Sequence, residues 1–437
     1  MELDPSLSES LYRSPGVTEG EELIVRLLSS REVVEHGLSK WQAIVTIFNC
    51  MVGASVLALP YAMDHAGLIG FLALFGVSCV MGFTAFLIGK NLSIVARRPE
   101  GLAVPVELHD WSLIGKIALG SFGQNLISVM FLMDLSSCLI TFLIATGINL
   151  PLLLPDGLLS TTMATIAAGL IAFLLLYVPV RLFAYFSMLG IIAQISMFVF
   201  LLITGIYIAE EDESRVGRDL RPGHLSALAA MLGCYIGCFN AHSTIPTIYQ
   251  NVGDKTQWAV IIVYSMVMAF SFYFVVGAVG YAAFGDSVRQ AFTANLGRDD
   301  SGTRLRGLEF LAPVCAAMIS TKMLVTVPAM SRPILAFADA RMPRKRFFFI
   351  FTRVLLITLL TVLSVLGRNL LPYVTAIRGA VVQVVISIVM PFAAYISLSW
   401  NEFSKTKRVL LLGFMVMSYL LTVPGAIVDV RIIISGG

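Results

Sequence analysis

The stretch Asn49-Cys-Met-Val-Gly53-Ala-Ser55-Val-Leu-Ala-Leu-Pro60-Tyr61-Ala62 sits inside an apolar run from Trp41 to Met63. A glycine, a small polar residue and a proline follow one another near its middle, and glycine and proline both weaken regular helical winding. A second run, Leu225 to Tyr249, repeats these features in Gly233-Cys-Tyr-Ile-Gly237-Cys-Phe239-Asn240-Ala-His242-Ser-Thr-Ile-Pro246. Each run is long enough to enter a bilayer. Two interrupted spans at corresponding places in two halves of a chain point to the binding site of a secondary transporter. Where a helix unwinds at membrane depth, its free N–H and C=O groups face a cavity instead of lipid, and a solute can use them.

The rest of the chain agrees with a membrane setting. Of its 437 residues, 57% are hydrophobic and 13% are charged. That is about half the charged share of a soluble protein, roughly 25%. Apolar runs of membrane-crossing length recur along most of the chain. The fold class is therefore an all-α polytopic membrane protein; nothing alternates as the strands of a membrane barrel do. The formal charge of +3 is spread out, and no dense basic stretch with interleaved aromatics marks a nucleic-acid partner. All six cysteines fall inside apolar spans. Cys234 and Cys238 share a helix face, but two thiols without histidine partners read as packing residues, not a metal site. No cofactor is implied.

Eleven spans are expected, near 42–64, 69–95, 121–149, 158–179, 183–208, 225–249, 257–283, 308–335, 347–366, 371–398 and 408–433. Residues 1–40 form a polar, net acidic tail without a cleavable signal pattern. Residues 41–209 hold five spans, 210–224 a loop, 225–400 five more spans, and 401–437 the eleventh with a short C-terminus. Because five is odd, the second group must insert upside down relative to the first, which is a 5+5 inverted repeat. Lys90, Arg97, Arg98, Lys116, Arg181, Lys255, the cluster Arg341-Met-Pro-Arg344-Lys345-Arg346, and Lys405 to Arg408 fall on the side of the N-terminus. Arg215, Arg218, Arg221, Arg289, Arg298, Arg304, Arg306 and Arg368 fall on the other. The bias places the N-terminus in the cytoplasm and the C-terminus outside or in a lumen. The sequon Asn91-Leu-Ser93 then lies at an inner span end and is expected to stay unmodified. Glu19-Gly-Glu-Glu-Leu23-Ile24 fits an acidic dileucine sorting pattern, which leaves the plasma membrane and an endolysosomal or vacuolar membrane both open.

Asn49-x3-Gly53-x3-Leu57-x-Leu-Pro60-Tyr61-Ala62, followed by Ala66-Gly67-x2-Gly70, resembles the first span of the amino acid/auxin permease family. Phe239-Asn-Ala-His242 with Pro246 and Tyr249 resembles its sixth span. Lys322 with Pro328 is similar to span eight of the vesicular branch, and Gly379 and Pro391 look like span ten. The resemblance covers roughly residues 40–435. It implies a LeuT-like fold and transport of amino acids or related zwitterions. Some relatives carry cysteines in the outer loops; this chain has none there.

Candidate site residues follow from the breaks and from polar groups at membrane depth. Gly53, Ala54 and Ser55 are small and allow close approach to backbone, and a half-helix beginning near Ser55 offers N–H groups to a carboxylate; Asn49 is a further candidate for binding the substrate. The competing reading of Gly53 is a small-residue packing face. Cys238, Phe239, Asn240 and His242 are expected to supply carbonyls for an α-ammonium group, with Phe239 as an aromatic lid. His242 is either a proton carrier or a neutral ring bonded to a nearby carbonyl. Asp134, Lys322 and Arg378 are ionisable residues deep in spans, where an unpaired charge costs roughly 2.5–3.5 kcal/mol on insertion scales. Asp134 is expected to pair with Lys322 or Arg378; otherwise Arg378 snorkels and Asp134 is protonated. In sodium-coupled members of the implied fold, carbonyls of span one and hydroxyls of span eight hold the cation. Ser320 and Thr321 would be those hydroxyls, and a Lys322 ammonium aimed there would exclude sodium. Transport is thus expected to be proton-coupled or facilitative, by alternating access, with a sodium symporter and a membrane nutrient sensor as alternatives. The histidines are scattered singly, so no constellation for a membrane enzyme is present.

Overall fold

The computed structural model describes residues 37–105, 109–155, 157–177, 180–211, 222–299, 301–339, 342–343 and 346–435. The acidic dileucine pattern, most of the 210–224 loop, and Arg341, Arg344 and Lys345 lie outside them. The chain runs through α1 (Lys40–Met51), α2 (Leu59–Ala66), α3 (Ile69–Val95), α4 (Trp111–Asn149), α5 (Thr161–Leu175), α6 (Val180–Glu211) and α7 (Leu225–Cys238). It continues through α8 (Ile245–Asn251), α9 (Trp258–Phe284), α10 (Leu311–Asp339), α11 (Arg346–Leu366), α12 (Leu371–Ile377), α13 (Met390–Leu398) and α14 (Lys405–Ser435). Two π-helical segments, Arg378–Gln383 and Val385–Val389, join α12 to α13. Among the described residues, seven helices are long and apolar enough to cross a membrane, and the bent pair at α1 makes an eighth. The other three stretches read from the sequence hold α5 and α7, which are shorter, and α14.

Both interrupted spans are broken. α1 starts from a capping box, in which Ser39 and Gln42 exchange side-chain and backbone hydrogen bonds. It stops at Met51; Val52 and Gly53 leave the helical path, and a tight turn, Ala54–Ala58, leads into α2. The two halves meet at 55°. Likewise α7 stops at Cys238, residues 239–244 are irregular, and α8 resumes at Ile245. Pro60 and Pro246 lie in the first turns of the resuming helices. There a proline's missing N–H costs nothing, because the first N–H groups have no partner inside the helix. The span expected from residue 121 is the part of α4 after Gly120, whose φ of 68° breaks the helix. Residues 111–119 form an extra arm that Asp110 caps through Leu113 N.

α1 and α2 pack on α9, α2 also packs on α7, and α8 packs on α3. α7 packs on α12, on the first π-helical segment and on α14. Gly233 of α7 and Gly379 touch backbone to backbone; a Cβ on either would overlap the other's helix. Tyr235 Oη donates to Ala62 O at 3.1 Å, tying α7 to α2. At the start of α1, Leu38 N donates to Asn251 O at 2.6 Å and Gly253 N to Leu38 O at 3.1 Å. This short bridge fastens the entry to α1 onto the exit from α8. Asn91 is buried, and its Nδ2 donates to Pro391 O at 3.0 Å, so the sequon's side chain is held inside the bundle.

The glycine contact sets a stability test. Gly379→Ala is expected to lower the stability of the detergent-purified protein by about 2–3 kcal/mol, as overpacking does. Gly76→Ala in α3, where a new Cβ meets nothing within 4 Å, is expected to be neutral or slightly stabilising. Thermal unfolding followed by circular dichroism distinguishes the two.

Candidate functional site

A cavity of about 250 Å³ opens where the two breaks face each other. An engineered cavity of roughly 150 Å³ holds benzene, so this one has room for a solute of amino-acid size. Its walls follow helical periodicity. α4 presents Asp134, Leu135, Cys138 and Phe142; α6 presents Gly190, Ala193, Gln194 and Met197; α10 presents Ile319, Lys322, Met323 and Thr326. Each set repeats every three to four residues, the signature of one helix face. The first break contributes Asn49 through Leu57, and the second contributes Gly237, Asn240, Ala241, Ser243 and Thr244. A Cβ on Gly53 would meet only Phe142 Cε1, at 3.8 Å, and Met51 O, at 4.0 Å. Gly53 is therefore open towards the cavity, and the packing-face reading does not describe it.

The carbonyl of Val52, freed by the first break, is the meeting point of two other helices. Lys322 Nζ of α10 donates to it at 2.6 Å, and Gln194 Nε2 of α6 at 3.0 Å. Gln194 Nε2 also lies 3.2 Å from Asn49 Oδ1. The ammonium sits at the C-terminal end of α1, where the helix dipole favours a cation. Gly190 makes room for its stem: a Cβ there would stand 3.4 Å from Cγ, Cδ and Cε of Lys322.

A second polar cluster closes another wall. Arg378 Nη2 donates to Asp134 Oδ1 at 3.0 Å, with side-chain exposures of 8% and 3%. Asn240 Nδ2 donates to Asp134 Oδ2 at 3.3 Å, and Ser387 Oγ lies 3.4 Å from Asn240 Oδ1. With its amide oxygen turned towards Arg378, Gln383 accepts from Arg378 Nη2 and Asn240 Nδ2, both at 2.7 Å. α4, the π-helical segment and the second break are thus joined through one ion pair. Of the two partners expected for Asp134, the structure pairs it with Arg378, which is buried and does not snorkel.

Asn49, Gly53, Ala54, Ser55, Asn240, Asp134, Lys322 and Arg378 come together around the cavity. Cys238, Phe239, His242, Ser320 and Thr321 do not line it. The Cys238 carbonyl accepts from Tyr273 Oη at 2.7 Å, and that of His242 from Trp111 Nε1 at 2.8 Å. Neighbouring side chains thus occupy the carbonyls expected to hold an ammonium group. Phe239 is fully buried edge-on against Tyr273, with ring centroids 5.1 Å apart, so it is core and not a lid. The His242 ring turns to α3, with Nε2 2.9 Å from Thr84 Oγ1 and 3.2 Å from Met81 O; it is the carbonyl-bonded ring of the two readings. Thr321 Oγ1 donates to Ala317 O at 2.8 Å on an exposed face, and Ser320 is buried off the cavity face. Both fall between Ile319 and Lys322, the first two of the α10 residues that line the cavity. Gln194 was not among the residues expected at the site. Its signal was a lone amide in the apolar run Gly190-Ile-Ile-Ala-Gln194.

A family model described as transmembrane amino acid transporter protein matches residues 36–430. The chain belongs to this family. It is the amino acid/auxin permease family that the residues of the first break implied. Among curated relatives from Arabidopsis thaliana, amino acid transporter AVT1C is 23% identical over 413 residues, covering 92% of this chain and 71% of the relative. Amino acid transporter AVT1H is 21% identical over 410 residues, covering 92% of each. Among solved structures, MhsT in complex with L-phenylalanine superposes with a TM-score of 0.56 at 12% identity, covering 92% of this chain and all of MhsT. Inward-facing Mhp1 gives 0.60 at 11% identity, covering 92% of this chain and 90% of Mhp1. At such identities the likeness shows the LeuT-like transporter fold, and function rests on the site.

The site geometry yields two expectations. Gly53→Leu fills open space, so it should leave thermal unfolding within about 1 kcal/mol of the parent while abolishing amino acid uptake in proteoliposomes. Arg378→Ala leaves Asp134 buried without its cation and should cost about 3–5 kcal/mol. Adding Asp134→Asn should recover more than half of that loss, as read by a double-mutant cycle of unfolding.

Proposed function

We propose that this protein is a secondary transporter of amino acids that works by alternating access, and that the solute occupies the cavity between the two breaks. The observation that carries the reading is the cavity itself. Irregular backbone at membrane depth is tolerated where it is buried in protein or lines a cavity, and here both breaks meet at one. Membership of the transmembrane amino acid transporter family and the relatives' description as amino acid transporters support the same solute class. Asn49, Gly53, Ala54, Ser55 and Asn240 form the solute-binding wall. The eleven spans fall into two inverted groups of five and a last helix, with the N-terminus cytoplasmic. The membrane is the plasma membrane or an endolysosomal or vacuolar one.

Lys322 decides the coupling ion in this reading. Its ammonium occupies the freed carbonyl of α1, where a sodium ion would need that same oxygen. One fixed positive charge repels a second at close range. Transport is therefore sodium-independent, driven by protons or by the solute gradient alone. The hydroxyls once expected to hold sodium lie off the cavity, which agrees with this.

Uptake of a mixed set of labelled amino acids into proteoliposomes, with sodium replaced by choline, tests the proposal. Uptake is expected to stay within about twofold of its value in sodium, since no transport energy comes from that ion. Loss of uptake in choline would establish a sodium symporter. Binding without flux in either buffer would establish a sensor.

A further inference from the structure

The charges around the cavity do not cancel. Among the described residues that line it, Asp134, Lys322 and Arg378 are the acidic and basic side chains. Asp134 is already paired with Arg378 at 3.0 Å and accepts a further hydrogen bond from Asn240. No carboxylate of the described residues lies within 4.0 Å of Lys322; its ammonium donates to the neutral carbonyl of Val52. Among the described residues, the wall therefore carries one basic side chain without a carboxylate partner.

That ammonium is tethered beside the cavity. The Lys322 stem runs along Gly190, its head is held at Val52 O, and the residue stands halfway along α10. Nor is there a spare anion for an incoming cation. Val52 O is shared by Lys322 and Gln194. Both Asp134 oxygens have donors.

Given the proposed solute site, we infer that Lys322 sets the charge class of the solute: the cavity takes zwitterionic and anionic amino acids and rejects cationic ones. A zwitterion adds no net charge and can turn its carboxylate towards the ammonium. An anionic amino acid neutralises the wall. A cationic side chain places a second positive charge in a site of low dielectric, where like charges repel strongly. Lys322 acts here as a discriminating residue by repulsion, a role separate from its exclusion of sodium.

The test is ligand-induced thermal stabilisation of the purified full-length protein at low ionic strength. The probes are methionine and glutamine, lysine, which matches them in length, and glutamate. In the parent protein, methionine or glutamine should stabilise at concentrations at least tenfold below any effect of lysine, and glutamate should stabilise at least as well as glutamine. Lys322→Met should bring lysine to within about threefold of methionine, and Lys322→Arg should keep the rejection. Stabilisation of the parent by lysine as strong as by methionine overturns the inference and leaves the transporter reading standing. A folded Lys322→Met that still rejects lysine removes Lys322 as the discriminator. If neither variant folds, the parent's ranking of lysine against methionine and glutamine decides the matter. Stabilisation by none of the probes overturns the inference together with the reading of the cavity as an amino acid site.

Discussion

The carbonyl oxygen of Val52 is the point on which the arrangement of the bundle turns. A helix that stops in the middle of a membrane leaves acceptors without partners, and an unsatisfied buried group of this kind costs several kcal/mol in hydrocarbon. Here α6 and α10 each send one donor to the same oxygen. That convergence fixes three helices relative to one another at the depth where the cavity opens. It also explains how a lysine comes to stand so deep: the dipole at the end of α1 and the freed carbonyl replace part of the hydration that the ammonium has lost. The break and the buried charge stabilise each other.

The second break uses the same principle with different chemistry. Its carbonyls are met by neutral donors, the hydroxyl of Tyr273 and the indole of Trp111, so this side carries no unpaired charge. Its Asn240 joins the Asp134–Arg378 pair. Arg378 opens a π-helical segment, a local widening of the helix often found at functional sites. The cavity therefore lies between a lone ammonium on one side and a neutralised ion pair on the other.

How far this could be read from the sequence depended on the kind of signal. Glycine and proline act on their own backbone, so Gly53, Pro60 and Pro246 marked both breaks without reference to any other residue. Buried charge is also visible along a chain, and Asp134, Lys322 and Arg378 stood out for that reason. Side-chain direction in irregular backbone is another matter. Residues 239–244 follow no helical period, so nothing in the order of residues showed that Phe239 and His242 turn into the core while Asn240 turns to the cavity. The pairing of Asp134 with Arg378 joins residues 244 positions apart, and both candidate partners were chemically suitable. On α10 the facing needed the structure: Thr321 and Met323 each stand one residue from Lys322, and only Met323 lines the cavity.

The bridge between Leu38 and the segment after α8 gives the chain's N-terminal end a mechanical connection. Two backbone hydrogen bonds link the lead-in of the first broken helix to the tail of the other. A tug or a docked weight on the preceding residues would bear on both half-helices at once, as a drawbar couples two wagons. Parting them at this end of the molecule requires breaking both of those bonds.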